Sequence, residues 1–309
     1  MDRNMLAEIL ILAVGLLAFL AGNTMSQKND FPVLRGPYLG QRLPGTTPEI
    51  FAPGVISTPA HEFSCCFSPD GKEFYFTRNV TELNEKVIMV TRLRDGVWTE
   101  PVVVPFVENQ FSFEPLITPD NKRLYFMSGK PIPGQAGPPM NVLFVEREAD
   151  GWSTPKNPGA PFNPAKAMFI SSTLDGIIYT TDISEGPGKE AIAVSKPVDG
   201  KYTELKRLGE PINAETQSMY PYIAPDESYI VYISRKPSAK IDNVLTISYK
   251  KPDGSWHEPK AVDIGMNAGL PFVSPDGKFL FFTGGAQGKS DIYWVSATFI
   301  EDLRPKESE

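Results

Sequence analysis

Short apolar runs alternate with turn residues at a near-constant interval along most of the chain. Five segments superpose: FSPDGKEFYFT, ITPDNKRLYFM, STLDGIIYTTD, IAPDESYIVYI and VSPDGKFLFFT. Their aspartates are Asp70, Asp120, Asp175, Asp226 and Asp276, at intervals of 50, 55, 51 and 50 residues. Ser or Thr, then Pro, Asp and Gly, is the chemistry of a type I turn. The run that follows, such as Phe74-Tyr75-Phe76 or Leu280-Phe281-Phe282, has no polar face. It therefore predicts a strand covered on both sides. A third strand follows in each repeat, for example Val87-Ile88-Met89-Val90. An Asp-Gly hairpin signal comes next in four repeats, at Asp95-Gly96, Asp150-Gly151, Asp199-Gly200 and Asp253-Gly254. Trp98, Trp152, Tyr202 and Trp256 then open the expected fourth strand.

Repeats of about 50 residues built from four strands each predict an all-β, five-bladed β-propeller of antiparallel blades. The fifth repeat lacks its outer strand. Thr47–Val55, TPEIFAPGV, resembles the outer-strand segments Thr99–Val107 and His257–Gly265. It is expected to complete the last blade, which closes the ring and removes free strand edges. Six blades are the alternative, but residues 27–60 are too few to hold four more strands.

Residues Ile9–Ala21 form an unbroken apolar run of 13. That length suits a signal-peptide core better than a membrane span of about 20 residues. Small residues Thr24 and Ser26 precede Gln27 at a plausible cut, while Asp2, Arg3 and Glu8 leave no clear basic start. The expected organisation is a signal peptide or N-terminal anchor at 1–26 and a linker at 27–44. The propeller then spans 45–305, with a tail at 306–309. Export to the periplasm or extracellular space follows, with membrane attachment through residues 6–22 if the segment is retained.

Composition agrees with this reading. Pro and Gly number 30 and 25 of 309 residues, too many for a helical bundle. The net charge is −7, which disfavours a nucleic-acid partner. Cys65 and Cys66 stand alone and adjacent, so they supply no disulfide framework or zinc site.

The S-P-D-G-K-x-L-Y-F repeat resembles the TolB-type, WD-repeat-like β-propeller family over about residues 45 to 305. Asn121, Leu174 and Glu227 depart from the repeat at its turns. The resemblance implies a rigid periplasmic display surface. That family also includes protein-interaction scaffolds and the non-catalytic propellers of some peptidases, and related propellers cleave sugars.

In such a ring, ligands sit over the channel on the face opposite the turn aspartates. The loops leading into the first strands bring His61, Glu62, Gln110, Glu114, Lys166, Gln217, Tyr220 and Asn267 there. The loops joining second and third strands bring Arg78, Asn79, Lys130, Asp182, Arg235 and Lys236. The expected ligand-binding set is His61, Arg78, Glu114, Lys130, Asp182, Gln217, Tyr220 and Arg235. The Gly/Pro-rich segment Gly129–Pro139 lies on the same face. The turn aspartates and the Trp/Tyr set are read as structural.

With two histidines, no H-E-x-x-H and no G-x-S-x-G, a metal site or serine triad is not supported, and no cofactor is implied. A carboxylate-pair mechanism needs only two acids. Glu62, Glu114 and Asp182 are the acids for it. The leading expectation is a non-catalytic protein- or glycan-binding scaffold. The alternative is a glycoside hydrolase or lyase.

Overall fold

The computed structural model describes residues 31–80, 85–107, 111–129, 131, 140–164, 166–214, 217–235, 241–285 and 289–306. The chain divides into two units, Met1–Val33 and Leu34–Glu309, and the second contains every sheet. The apolar run Ile9–Ala21, and with it the expected signal peptide or anchor, lies outside the described residues. No helix among the described residues is long and apolar enough to cross a membrane.

Five antiparallel sheets make a five-bladed β-propeller. The inner strands are Glu62–Phe67, Ser112–Ile117, Ala167–Ser172, Gln217–Ile223 and Gly269–Val273 in blades 1 to 5. Each inner strand touches the next, and that of blade 5 touches that of blade 1, so the ring is closed. The second strands are Glu73–Val80, Arg123–Ser128, Ile178–Asp182, Tyr229–Arg235 and Phe279–Gly284. They bury most of their side chains, and in Glu73–Val80 the buried ones are Phe74–Thr77, as expected of sheets covered on both faces.

The N-terminal segment completes blade 5. Glu49 and Ile50 pair with Trp294 and Tyr293 of its third strand, Asp291–Ser296. Beside this seam, Phe51 packs against Phe74, Phe281 and Trp294 at centroid separations of 5.0 to 5.1 Å. Edge-on aromatic contacts of this kind add to simple burial.

The outer strands differ from expectation. The fourth strand is broken rather than opened by its aromatic. In blade 1, Val97–Trp98 pairs with the end of the third strand, and Val102–Val103 pairs separately with its middle. In blade 3 the Asp-Gly hairpin is a sheet of its own, and Lys206–Arg207 forms the outer strand. The aromatic turns to other partners: Trp98 Nε1 donates to the Gly36 carbonyl at 2.7 Å, and in blades 2 and 4 the aromatic reaches the neighbouring blade. Trp152 Nε1 donates to Tyr75 Oη at 2.8 Å, and Trp256 stacks edge-on against Tyr179. Both contacts cross from one blade to the preceding one.

The turn aspartates shape turns. Ser68 Oγ donates to Asp70 Oδ1 at 2.6 Å, and the Lys72 amide donates to the same oxygen at 3.1 Å. Asp120 and Asp276 are held in the same way by Thr118 and Ser274. Cys65 and Cys66 are free and buried. Burial pushes the Cys66 thiol up to about 12, which leaves it unreactive at neutral pH.

Candidate functional site

Every inner strand carries a bulge at its third residue or just beside it. The bulged residues Ser64, Glu114, Phe169, Tyr220 and Leu270 all have positive φ, between 45° and 56°. The register slips across each of them. Such bulges bend a strand and re-aim its side chains. Three bulge amides donate across blades to threonine hydroxyls: Ser64 to Thr283 at 3.0 Å, Glu114 to Thr77 at 3.1 Å and Tyr220 to Thr181 at 2.8 Å. At the blade 2 to blade 3 boundary the corresponding position is Met127, which has no hydroxyl. There the Phe169 amide hydrogen-bonds the Glu114 carboxyl instead.

Glu114 is thus only 7% exposed, and its Oε2 has no hydrogen-bond partner among the described residues. Burial pushes its carboxyl up to about 8, against the opposing pull of the Phe169 amide and the Lys86 ammonium. At neutral pH the group is therefore mostly protonated, a hydrogen-bond donor as well as an acceptor. Tyr220 lies within electrostatic reach of Glu114. Its ring meets Phe169 edge-on at 5.7 Å. Burial, then the nearby Glu114 and Glu190, push the Tyr220 phenol up to about 12.

Two other acids expected at this face are already saturated. Glu62 is 0% exposed. It accepts from Arg78 Nε at 2.7 Å, Thr58 Oγ1 at 2.6 Å and the Thr58 amide at 3.1 Å. Arg78 also donates to the carbonyls of Val55 and Ile56, each at 3.0 Å. These two residues pin the segment after the closing strand. Asp182 accepts from Arg207 Nε at 2.7 Å and the Ser184 amide at 2.8 Å. Burial acts to raise its pKa, but the bonds from Ser184 and Arg207 outweigh burial and hold it below the usual carboxylate range.

Glu62, Glu114, Gln217 and Tyr220 belong to the inner strands themselves, and Arg78, Asp182 and Arg235 to second strands. The sequence pattern places them in loops, because the bulges lengthen the inner strands beyond the repeat's visible apolar core. Arg235 donates to Gln217 Oε1 at 3.2 Å, and Gln217 in turn donates to Glu190. Glu190 carries no signal in the repeat and is absent from the expected set. His61 Nδ1 accepts from the Ser290 amide at 3.3 Å. His61, Asn267, Lys289 and Ser290 line a shallow cavity of about 370 Å³. Lys166 is exposed. Gln110, Lys130, Lys236 and most of Gly129–Pro139 lie outside the described residues. Among the described residues no group of three His, Cys, Asp or Glu side chains is placed to hold a metal ion.

No protein-family model matches the chain, and no curated protein sequence matches it. Solved structures do. A glycoside hydrolase family 43 protein, BlXynB, from Bacillus licheniformis is 12% identical with a TM-score of 0.50, over 80% of this chain and 54% of that one. TolB from Acinetobacter baumannii is 15% identical with a TM-score of 0.49, over 79% of this chain and 53% of that one. An α-L-arabinofuranosidase from Lactobacillus brevis is 13% identical with a TM-score of 0.47, over 77% and 92%. The chain spans about half the length of the first two. At these identities the likeness shows the propeller fold alone.

Proposed function

We propose that the chain is an exported, non-catalytic propeller that binds a protein or a glycan of the bacterial cell envelope through the face opposite its turn aspartates. The observation that carries this reading is the saturation of the acids expected there. Glu62 is consumed by Arg78 and Thr58, and Asp182 by Arg207 and Ser184. A hydrolytic pair needs two carboxyl groups facing a substrate at about 5 to 9.5 Å. Only Glu114, of the three, keeps an unpartnered oxygen. Export is supported by the Ile9–Ala21 run and by the periplasmic role its repeat implies.

The test is cross-linked co-purification of the tagged full-length chain from its native envelope, together with retention on immobilised polysaccharides. Enrichment of one envelope protein, or specific retention on one glycan, supports the reading. Recovery of the chain alone, with no retention on any glycan, overturns it.

One observation favours a second reading, a carbohydrate-active enzyme. A carboxyl that keeps its proton to about pH 8, as Glu114 does, has the property of a general acid. Turnover of an aryl glycoside or polysaccharide, abolished by Glu114→Gln with the fold intact, would establish that reading over the first.

A further inference from the structure

We propose that Glu114, Phe169 and Tyr220, the bulge residues of three successive blades, form a subsite at the channel for one neutral, hydroxylated ring of a glycan, with the Glu114 carboxyl donating a hydrogen bond to it. The inference rests on the reading of this face as a binding surface and names what that surface recognises.

Three observations converge. Glu114 has a structural task, accepting from the Phe169 amide where Met127 stands in place of the threonine found in three other blades. One oxygen suffices for that task. The other, Oε2, is buried without a partner, which costs free energy unless a ligand or water completes it. Near the carboxyl are two rings in edge contact, Phe169 buried and Tyr220 half-buried. Sugar rings stack on such aromatic surfaces through their C–H faces and hydrogen-bond through their hydroxyls.

Charge narrows the ligand to a neutral one. Lys86 acts on the Glu114 carboxyl from blade 1, so a second cation would be repelled. Its ammonium is held over the Phe63 ring at 5.2 Å, with the Phe111 and Phe113 rings within 6 Å. Glu190 also acts on Tyr220, which disfavours an anion there, and Arg235 is engaged by Gln217. The protonated carboxyl and the Tyr220 phenol remain as donors suited to hydroxyl and ring oxygens.

The experiment is titration calorimetry of the full chain with xylotetraose, arabinotetraose, cellotetraose, maltotetraose and chitotetraose, at pH 6.5 and pH 9.5. Wild type is expected to bind at least one of them at pH 6.5. Its affinity is expected to fall about tenfold or more by pH 9.5, as Glu114 loses its proton. Glu114→Gln keeps an acceptor for the Phe169 amide, and its amide group does not titrate. Its pH profile is expected to be flat, with Lys86, Glu190, Arg235 and Tyr220 untouched. Tyr220→Phe keeps the ring and is expected to bind several-fold more weakly at pH 6.5.

A pH dependence that persists in Glu114→Gln overturns the subsite while leaving glycan binding standing. Binding of none of the five sugars by wild type, alongside a cross-linked protein partner, overturns the subsite and keeps the scaffold. Binding of choline or spermidine that strengthens with rising pH overturns it in favour of a cation site. Circular dichroism and melting of both variants separate loss of binding from loss of fold.

Discussion

Glu62 and Arg78 illustrate how a charged pair is used inside a ring. Glu62 is fully buried and Arg78 is 17% exposed, and their pair carries bonds to Thr58, Val55 and Ile56. Removing one partner of such a pair leaves a buried charge unpaired, which costs about 3 to 5 kcal/mol. Arg78→Met is therefore expected to destabilise by that order in urea unfolding, whatever its effect on ligand. An unchanged midpoint would show the pair to be dispensable. Glu114 behaves oppositely. Its folded pKa, about 8, lies above the ordinary 4.5. The folded state thus holds the proton more tightly, and rising pH from about 4.5 to 8 progressively costs stability. Glu114→Gln is expected to match wild type below pH 4.5 and to exceed it above pH 8. Each tenfold gain in proton affinity on folding is worth about 1.4 kcal/mol, so the ceiling on this difference is about 5 kcal/mol. Unfolding midpoints measured at pH 4 and pH 9 check the sign.

At the level of the strand, the bulges matter more than the turns. The turns are shaped locally, by Ser or Thr hydroxyls and aspartates two residues apart. The bulges are tied to the preceding blade by the hydroxyls of Thr77, Thr181 and Thr283. Thr181→Val keeps shape but strips the Tyr220 amide of its acceptor. An unpaired buried amide costs about 1 to 3 kcal/mol. The same variant is expected to loosen Tyr220 and weaken any ligand that touches it. Chemical denaturation measures the first effect and a binding titration the second. The hairpin aromatics act in the same direction, joining blades through Trp152 to Tyr75 and Trp256 to Tyr179.

Across the whole molecule, the outer edge of blade 5 is covered by a short stretch of backbone pairing and an aromatic cluster. Glu49 and Ile50 cover the edge of Asp291–Ser296, and Phe51, Phe67, Phe74, Phe281 and Trp294 fill the seam beneath. A variant lacking residues 47–55 exposes that edge and removes Phe51 from the cluster. Loss of a buried phenylalanine alone costs about 3 to 5 kcal/mol, and an open edge invites pairing between copies. The expected result is a sharply lower Tm with concentration-dependent light scattering. A monomeric variant with unchanged Tm would refute this account of the covered edge.

The blade count, the order of the first three strands of each blade and the closing segment were all legible in the chain. Turn chemistry, apolar runs and a fixed repeat length are local properties, and a ring of like units needs little else. The residues of the candidate face were legible as a set but not as partners. Gln217 and Arg235 stand opposite each other across one hairpin, and so do Glu62 and Arg78. Counting outward from the turn places them near one another, but the bulge slips the register between. Arg207, which neutralises Asp182, comes from an outer strand whose position no local pattern marks. Glu114 shows the division most clearly. Its type and its blade follow from the repeat. Its burial, its bond to the Phe169 amide and its unpartnered oxygen depend on Met127, Lys86 and Tyr220, which come from three blades. A repeat specifies each blade by short-range chemistry. The electrostatics of a channel arise only where different blades meet, and there tertiary structure alone sets distance and burial.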